Sequence, residues 1–250
     1  MIKIIPCLDV RNGRVVKGKK FTNITDLDDP EILAEYYSKA GADEICIYDI
    51  TASNESRSIS KNFIDRLTAK ISIPFIVGGG LSRIEDLEDI FSRGVGKASI
   101  NSAAVKNPDF IRLASEKFGS KKIVLAMDVK KVGEKKWNVF TKGGSTDSGI
   151  DAIAWAKKME ELGAGQMVIN SIDGDGSKEG YDIELLKEIK KNINLPIVAS
   201  GGAGKLEDFL QVAKEAHVEG LLAASVFHYR EIEIRDLKSY LNDNNIEVSL

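Results

Sequence analysis

Cysteine is nearly missing from this chain. Its 250 residues include 2, Cys7 and Cys46, too few for a disulfide framework or a cysteine-based metal site. Histidine is as scarce, and His217 and His228 lack the spacing of a metal pair, so both are expected to be structural and no metal is expected. No apolar run approaches the roughly 18 residues that a membrane span needs. Neither sign of charge dominates: 35 Lys and Arg against 38 Asp and Glu leave −3, which supplies no global field for nucleic acid. The opening MIKIIPCLDV carries no signal-peptide cleavage pattern. These absences leave a cytoplasmic protein that uses neither membrane nor nucleic acid.

What is present is an ordinary globular composition, 43% hydrophobic and 29% charged, which excludes a disordered chain. Eight short apolar runs rich in Ile and Val recur at 4–10, 44–50, 74–77, 97–100, 123–128, 167–171, 196–200 and 221–224. Their length favours strands buried on both faces. Between them lie stretches with helical spacing, such as PEILAEYYSKAG, RIEDLEDIFSRG and GIDAIAWAKKMEELGAG, several opening at Pro, Asp or Ser and closing at Gly or Asn. Eight such units predict a single (β/α)8 barrel over 1–250, with an open doubly wound sheet as the alternative. An α/β barrel of roughly 250 residues is commonly one domain.

The chain also repeats itself. IIPCLDV resembles IVLAMDV, IPFIVGGG resembles LPIVASGG, and ASINSAAV resembles LAASVFHY, each pair about 120 residues apart. Two equivalent halves, about 1–120 and 121–250, are expected. In a barrel the chemistry sits where strands end. Asp9 and Asp128 occupy the repeat-related ends of strands one and five, half a barrel apart. Paired carboxylates there suit acid/base work; capping of a loop or helix is the plainer role for each. Gly78–Gly80 follows strand three and Gly201–Gly204 follows strand seven. Glycine lets backbone N–H groups approach an anion, although tight turns need glycine too. Asn101 and Ser102 end strand four, and Ala224 and Ser225 end strand eight. The doubled signal implies a substrate with a phosphate at each end.

Other features weigh less. Arg11–Phe21 is a basic loop whose Lys17 could reach an anion, but Asn12-Gly13 reads more simply as a hairpin turn. SIDGDG lacks the spacing and terminal Glu of a calcium loop. Trp137 and Trp155 are expected to pack in the core.

IPCLDV, VVKGKKF, YDITAS, VGGG, SINSAAV, GYD, ASGGAG and AASVFHYRE together resemble the cyclase subunits of imidazole glycerol phosphate synthases, over essentially residues 3–248. The resemblance implies a reaction in which ammonia closes an imidazole ring on a bisphosphorylated ribulosyl-formimino aminoimidazole carboxamide ribonucleotide. It would release imidazole glycerol phosphate and aminoimidazole carboxamide ribonucleotide, a lyase step in histidine biosynthesis, with no cofactor. It implies Asp9 and Asp128 as the catalytic pair. It places phosphate ligands at Gly80, Asn101 and Ser102 in one half and at Gly176, Gly202, Ala224 and Ser225 in the other. Lys17 matches the family's loop lysine, and Asp49 and Asp175 match further active-site acids. It also implies a separate glutaminase subunit docked under the barrel, its ammonia entering through a gate at Lys3, Glu44, Lys97 and Gln166.

The chain departs from the family pattern at several points. Gln166 stands where the gate has a second acid, and Gly96 where an Asp faces the glutaminase. Ser145 replaces a basic residue and Gly174 an Arg. Asp43, next to Glu44, is a candidate to restore the gate's charge. The departures at Gln166 and Gly96 therefore fall on the coupling to the glutaminase and leave the ring-closing pair intact. Two other readings are an ammonia-channelling subunit of a different, sugar-modifying amidation, which the presence of Asp9 opposes, and a non-catalytic binding barrel, which the carboxylate pair and both glycine turns oppose.

Overall fold

The computed structural model describes residues 1–19, 22–52, 55 and 57–249; the side chains of residues 17–19 and 22–27 also lie outside the description. The first half runs β1 (Lys3–Arg11), β2 (Arg14–Lys19), β3 (Thr22–Asp28), α1 (Pro30–Ala40), β4 (Ile45–Asp49), α2 (Lys61–Thr68), β5 (Phe75–Gly78), α3 (Ile84–Ser92), β6 (Lys97–Ile100), α4 (Ser102–Lys106) and α5 (Asp109–Phe118). The second runs β7 (Ile123–Gly133), β8 (Lys136–Thr141), β9 (Thr146–Asp151), α6 (Ala152–Glu161), β10 (Gln166–Ser171), α7 (Ile183–Lys190), β11 (Ile197–Ser200), α8 (Leu206–Ala216), β12 (Gly220–Ala223), α9 (Ser225–His228) and α10 (Ile234–Asp243).

Eight of these strands close a parallel barrel in the order β1, β4, β5, β6, β7, β10, β11, β12 and back to β1. The expected (β/α)8 architecture is therefore the one observed. Inward side chains such as Ile5, Cys46, Ile76, Val124, Val168 and Leu222 fill the lumen, while a larger cluster packs the barrel against its helices. Both cysteines are buried and unbridged. Trp137 and Trp155 are buried in the outer layer, as expected. His217 caps α8 in the left-handed conformation, and His228 Nδ1 lies 2.7 Å from the Tyr37 hydroxyl.

Three boundaries differ from the sequence reading. Strands one and five do not stop at Asp9 and Asp128; each runs on and folds back into a hairpin, β1–β2–β3 and β7–β8–β9. At Asn12 and Gly13 φ is 52° and 75°, the double left-handed turn that matches strand twist. Likewise Gly149-Ile150-Asp151, read as a helix start, belongs to β9. Gly149 takes φ +71°, outside the helical region. The helix begins only at Ala152, where the Asp151 carboxylate accepts from the amides of Ile153 and Ala154.

Candidate active site

The C-terminal ends of the barrel strands open onto a cavity of about 750 Å³. Asp9 and Asp128 both line it, from β1 and β7, which stand four strands apart and so on opposite sides of the ring. Each lies where its strand leaves the parallel barrel for the hairpin, since Asp9 pairs with Tyr48 on one side and Val16 on the other. Asp128 pairs likewise with Asn170 and Phe140.

The Asp128 carboxylate is held at both oxygens. Oδ1 accepts from Asn170 Nδ2 and Oδ2 from Asn101 Nδ2, each at 3.0 Å. Burial pushes its carboxyl up to about 6, with the charges of Asp175 and Asp9 adding to the rise and the two amides opposing it. Such a group carries a proton for part of the physiological range, which suits an acid/base catalyst. Asp9 Oδ1 lies 3.9 Å from the Cys7 thiol. Asp175 reaches the cavity from the loop after β10.

Asp49 is differently employed. Its carboxylate accepts from the Thr51 hydroxyl at 2.9 Å and from the amides of Thr51 and Ala52 at 3.1 and 3.0 Å. It also pairs with Arg57 at 2.5 Å, holding the guanidinium's proton more firmly than usual. Asp49 thus shapes the loop after β4 and carries Arg57 to the cavity wall. Arg57 was not legible as a site residue, being one of many scattered charges in its segment.

The two glycine turns are built alike. Gly79 and Gly80 follow β5 with φ of 122° and 67°; Gly201 and Gly202 follow β11 with 88° and 111°. A Cβ on Gly80 would lie 1.8 Å from the Arg57 carbonyl oxygen, and one on Gly202 would lie 1.9 Å from that of Gly180. No side chain fits at either place. Behind each turn a buried carboxylate ties the loop to its helix. Asp86 accepts from the amides of Ser82 and Arg83, and Asp208 from those of Gly204 and Lys205. Beside the turns, Asn101 and Ala224 share an unusual backbone (φ −126°, ψ −88°; φ −123°, ψ −75°) and start α4 and α9 at Ser102 and Ser225. Gly80, Asn101 and Ser102 meet at one side of the cavity, and Gly176, Gly202, Ala224 and Ser225 at the other. The β8–β9 turn folds over the first group, with the Lys142 amide donating to Ser102 Oγ at 3.3 Å. Lys106 and Lys142, unflagged in the sequence, also line the cavity. Lys17 lies on β2, and its side chain is outside the described residues. Gly174 sits against the Gly201 carbonyl, 3.1 Å from where its Cβ would be.

Lys3, Glu44, Lys97 and Gln166 come together at the opposite end, where the strands begin. Lys97 Nζ lies 2.7 Å from Glu44 Oε1 and donates at 2.7 Å to Gln166 Oε1, while Lys3 Nζ stands 3.4 Å from Glu44 Oε2. Glu44 is buried. Asp43 does not restore the charge that Gln166 lacks. It is spent on Lys238 Nζ at 2.8 Å, on the Ser249 hydroxyl and on the Ile4 amide at 2.7 Å, an arrangement that ties down the C-terminal segment. Among the described residues no group of three or more His, Cys, Asp or Glu could hold a metal, and no helix is long and apolar enough to cross a membrane.

A closed (β/α)8 barrel with two opposed carboxylates and two matched glycine turns at the C-terminal ends of its strands has the layout of a barrel enzyme. The chain belongs to the histidine biosynthesis protein family, whose model matches residues 3–233. It is 51% identical to the imidazole glycerol phosphate synthase subunit HisF of Oceanobacillus iheyensis, over 98% of this chain and 96% of that protein. Identity to proteins of the same description is 48% in Bacillus cereus and 47% in Clostridium botulinum, each over 99% of this chain and 98% of the relative.

Proposed function

We propose that this chain is the cyclase subunit of an imidazole glycerol phosphate synthase, a lyase of histidine biosynthesis. In this reading ammonia attacks the bisphosphorylated ribulosyl-formimino substrate, the carboxamide ribonucleotide leaves as an amine, and the ring closes with loss of water. Asp9 and Asp128 deliver and remove the protons. Gly80, Asn101 and Ser102 hold one phosphate, Gly176, Gly202, Ala224 and Ser225 the other, and Asp175 borders the reacting centre. Lys17 is proposed to reach over the substrate; Asp49 acts through Arg57. The observation that carries the reading is the opposed Asp9/Asp128 pair flanked by two glycine turns of one design, in a chain about half identical to proteins of that name over nearly its whole length. The matching turns also support two equivalent halves, about 1–120 and 121–250. Two buried cysteine thiols agree with work in a reducing compartment such as the cytoplasm. Rescue of a cyclase-deficient histidine auxotroph is the expected outcome; a chain that expresses and folds yet gives no growth, with ammonium or without, contradicts the reading.

The ring of charge under the barrel supports an ammonia entry served by a glutaminase subunit. Gln166 keeps the hydrogen bond to Lys97 but not the negative charge, so two lysines face Glu44 alone. Gly96 offers no carboxylate to a partner. A Cβ there would meet the Phe75 carbonyl at 3.2 Å, so an aspartate requires that backbone to give by a few tenths of an ångström. Gly96→Asp with Gln166→Glu is expected to raise glutamine-dependent turnover several-fold with a glutaminase from a relative, because a rim charge pair contributes about 0.2–1 kcal/mol and a more buried one more. Ammonium-dependent turnover should stay nearly constant. Equal glutamine-dependent rates before and after the change would make both departures neutral.

A further inference from the structure

Three neighbouring strands carry three polar side chains at one level of the barrel. Asp128 on β7 stands opposite Asn170 on β10, and Asn170 stands opposite Ser200 on β11. The Ser200 hydroxyl donates to Asn170 Oδ1 at 3.0 Å, and Asn170 Nδ2 donates to Asp128 Oδ1 at 3.0 Å. With its oxygen engaged by Ser200, the Asn170 amide can turn only its N–H2 toward Asp128. Gly201 leaves room for this, since a Cβ there would press on Asn170 Oδ1 at 3.1 Å.

The equivalent level of the other half is built differently. Asp9 stands opposite Tyr48, and Tyr48 opposite Gly78. The Tyr48 hydroxyl lies 3.2 Å from Ser99 Oγ, and the position matching Asn101 is Ala224. The side-chain amide pair therefore belongs to Asp128 and not to the matching positions around Asp9. A mouth that repeats its glycine turns has made its two carboxylates unequal.

We propose that Asn170, braced by Ser200, is a positioning residue that holds the Asp128 carboxylate in one orientation across the barrel mouth. This rests on the cyclase reading for its catalytic meaning, but the geometry stands without it. The groups facing Asp128 are Asp9 from β1, Asp175 from the loop after β10, and the amides of Asn101 and Asn170; the cationic Arg11, Arg57, Lys106 and Lys142 and the acidic Asp49 line the same cavity. Against two acids, Asn170 favours the ionised form, and its loss favours the protonated one.

The test has an activity readout and one independent of activity. Carbon-13 aspartate labelling follows the Asp128 carboxyl through a pH titration, its signal being the one missing from Asp128→Asn. In Asn170→Leu, close in volume but without a donor, the Asp128 midpoint is expected to move up by about one pH unit, the scale of one hydrogen bond to a charged group. In Ser200→Ala it should move less, in the same direction. The acidic limb of ammonium-dependent kcat should move with it. The kcat at neutral pH should fall about 10-fold or more while KM changes little, the pattern of a group that acts on the transition state. Circular dichroism and Tm report whether each variant folds; if Asn170→Leu does not, Ser200→Ala carries the test. An Asp128 midpoint and kcat profile unmoved in the folded variant overturn the proposal. A moved midpoint in a chain that never cyclises keeps Asn170's role and removes the cyclase reading instead.

Discussion

Replacing Asp128 with Asn is expected to leave a folded protein that has lost about 10²–10⁴-fold of its ring closure, the usual worth of one acid/base group. The structure explains why the fold should survive. The new amide would set an N–H2 group against one of the two amides that now donate to the carboxylate. Asn101 can answer by turning over, because among the described residues its Oδ1 is buried with no hydrogen bond to break. The flipped Asn101 then accepts where it formerly donated, while its N–H2 takes the buried place of the unpartnered oxygen, so the change costs the fold about 1–3 kcal/mol for one unmade buried hydrogen bond. Asp9→Asn should cost a similar factor. Activity is measured with saturating ammonium, so that no partner is needed, and substrate affinity is measured separately. Either amide variant cyclising at the parent rate would show that the residue does not carry the proton.

The same substitution has a signature in stability. The Asp128 carboxyl titrates near 6 when folded, raised by burial from an ordinary 3.8. The folded chain thus holds this proton more tightly than the unfolded chain. That contribution to stability is full below about pH 4 and is lost as pH rises through about 6. Asp128→Asn removes it, so the variant's Tm relative to the parent should climb between pH 4 and pH 7. A gap that stays constant over that range would mean that burial does not perturb Asp128.

Different parts of this molecule were legible in the sequence to different degrees, for physical reasons. Barrel strands buried on both faces read as Ile/Val runs, and their helices announce themselves by caps and periodicity. The hairpin β8–β9 was not read, because half-exposed strands such as TDSGID carry no run of apolar residues. Asp9 and Asp128 stood out because an acid interrupts an apolar strand at the same place in two repeats. Asn170 interrupts a strand too, but its repeat partner is Tyr48, so repetition gave no signal. Arg57 could not be found from spacing, since only the folded loop after β4 brings it to the cavity. Asp43, adjacent to Glu44 in sequence, looked able to complete the gate; alternation along the strand entrance sends the two carboxylates to different partners.

The second large effect is expected at the glycine turns. Gly80→Ala and Gly202→Ala should each weaken substrate binding without removing the acid/base chemistry. At Gly202 φ is 111°, a conformation that side-chain-bearing residues scarcely visit, and at Gly80 it is 67°. The steric problem is larger than the torsional one, because the new methyl would sit within 2 Å of a carbonyl oxygen in both cases, that of Arg57 or of Gly180. Since those oxygens belong to the neighbouring loops, the turn itself must back away and take its amides out of line. Each charge-assisted hydrogen bond lost to a phosphate oxygen is worth about 1.5–3 kcal/mol, so KM should rise about 10–10²-fold per bond. Gly119→Ala serves as the control. Its φ is 85°, but no described residue lies within 4 Å of the new methyl and it stands at the end of α5, outside the mouth. It should lower Tm and leave KM alone. Calorimetric titration with inorganic phosphate separates the two turns, each variant losing one class of site. If Gly80→Ala weakened binding and Gly202→Ala did not, the second turn would be a structural corner, and the substrate would carry one phosphate that the barrel reads.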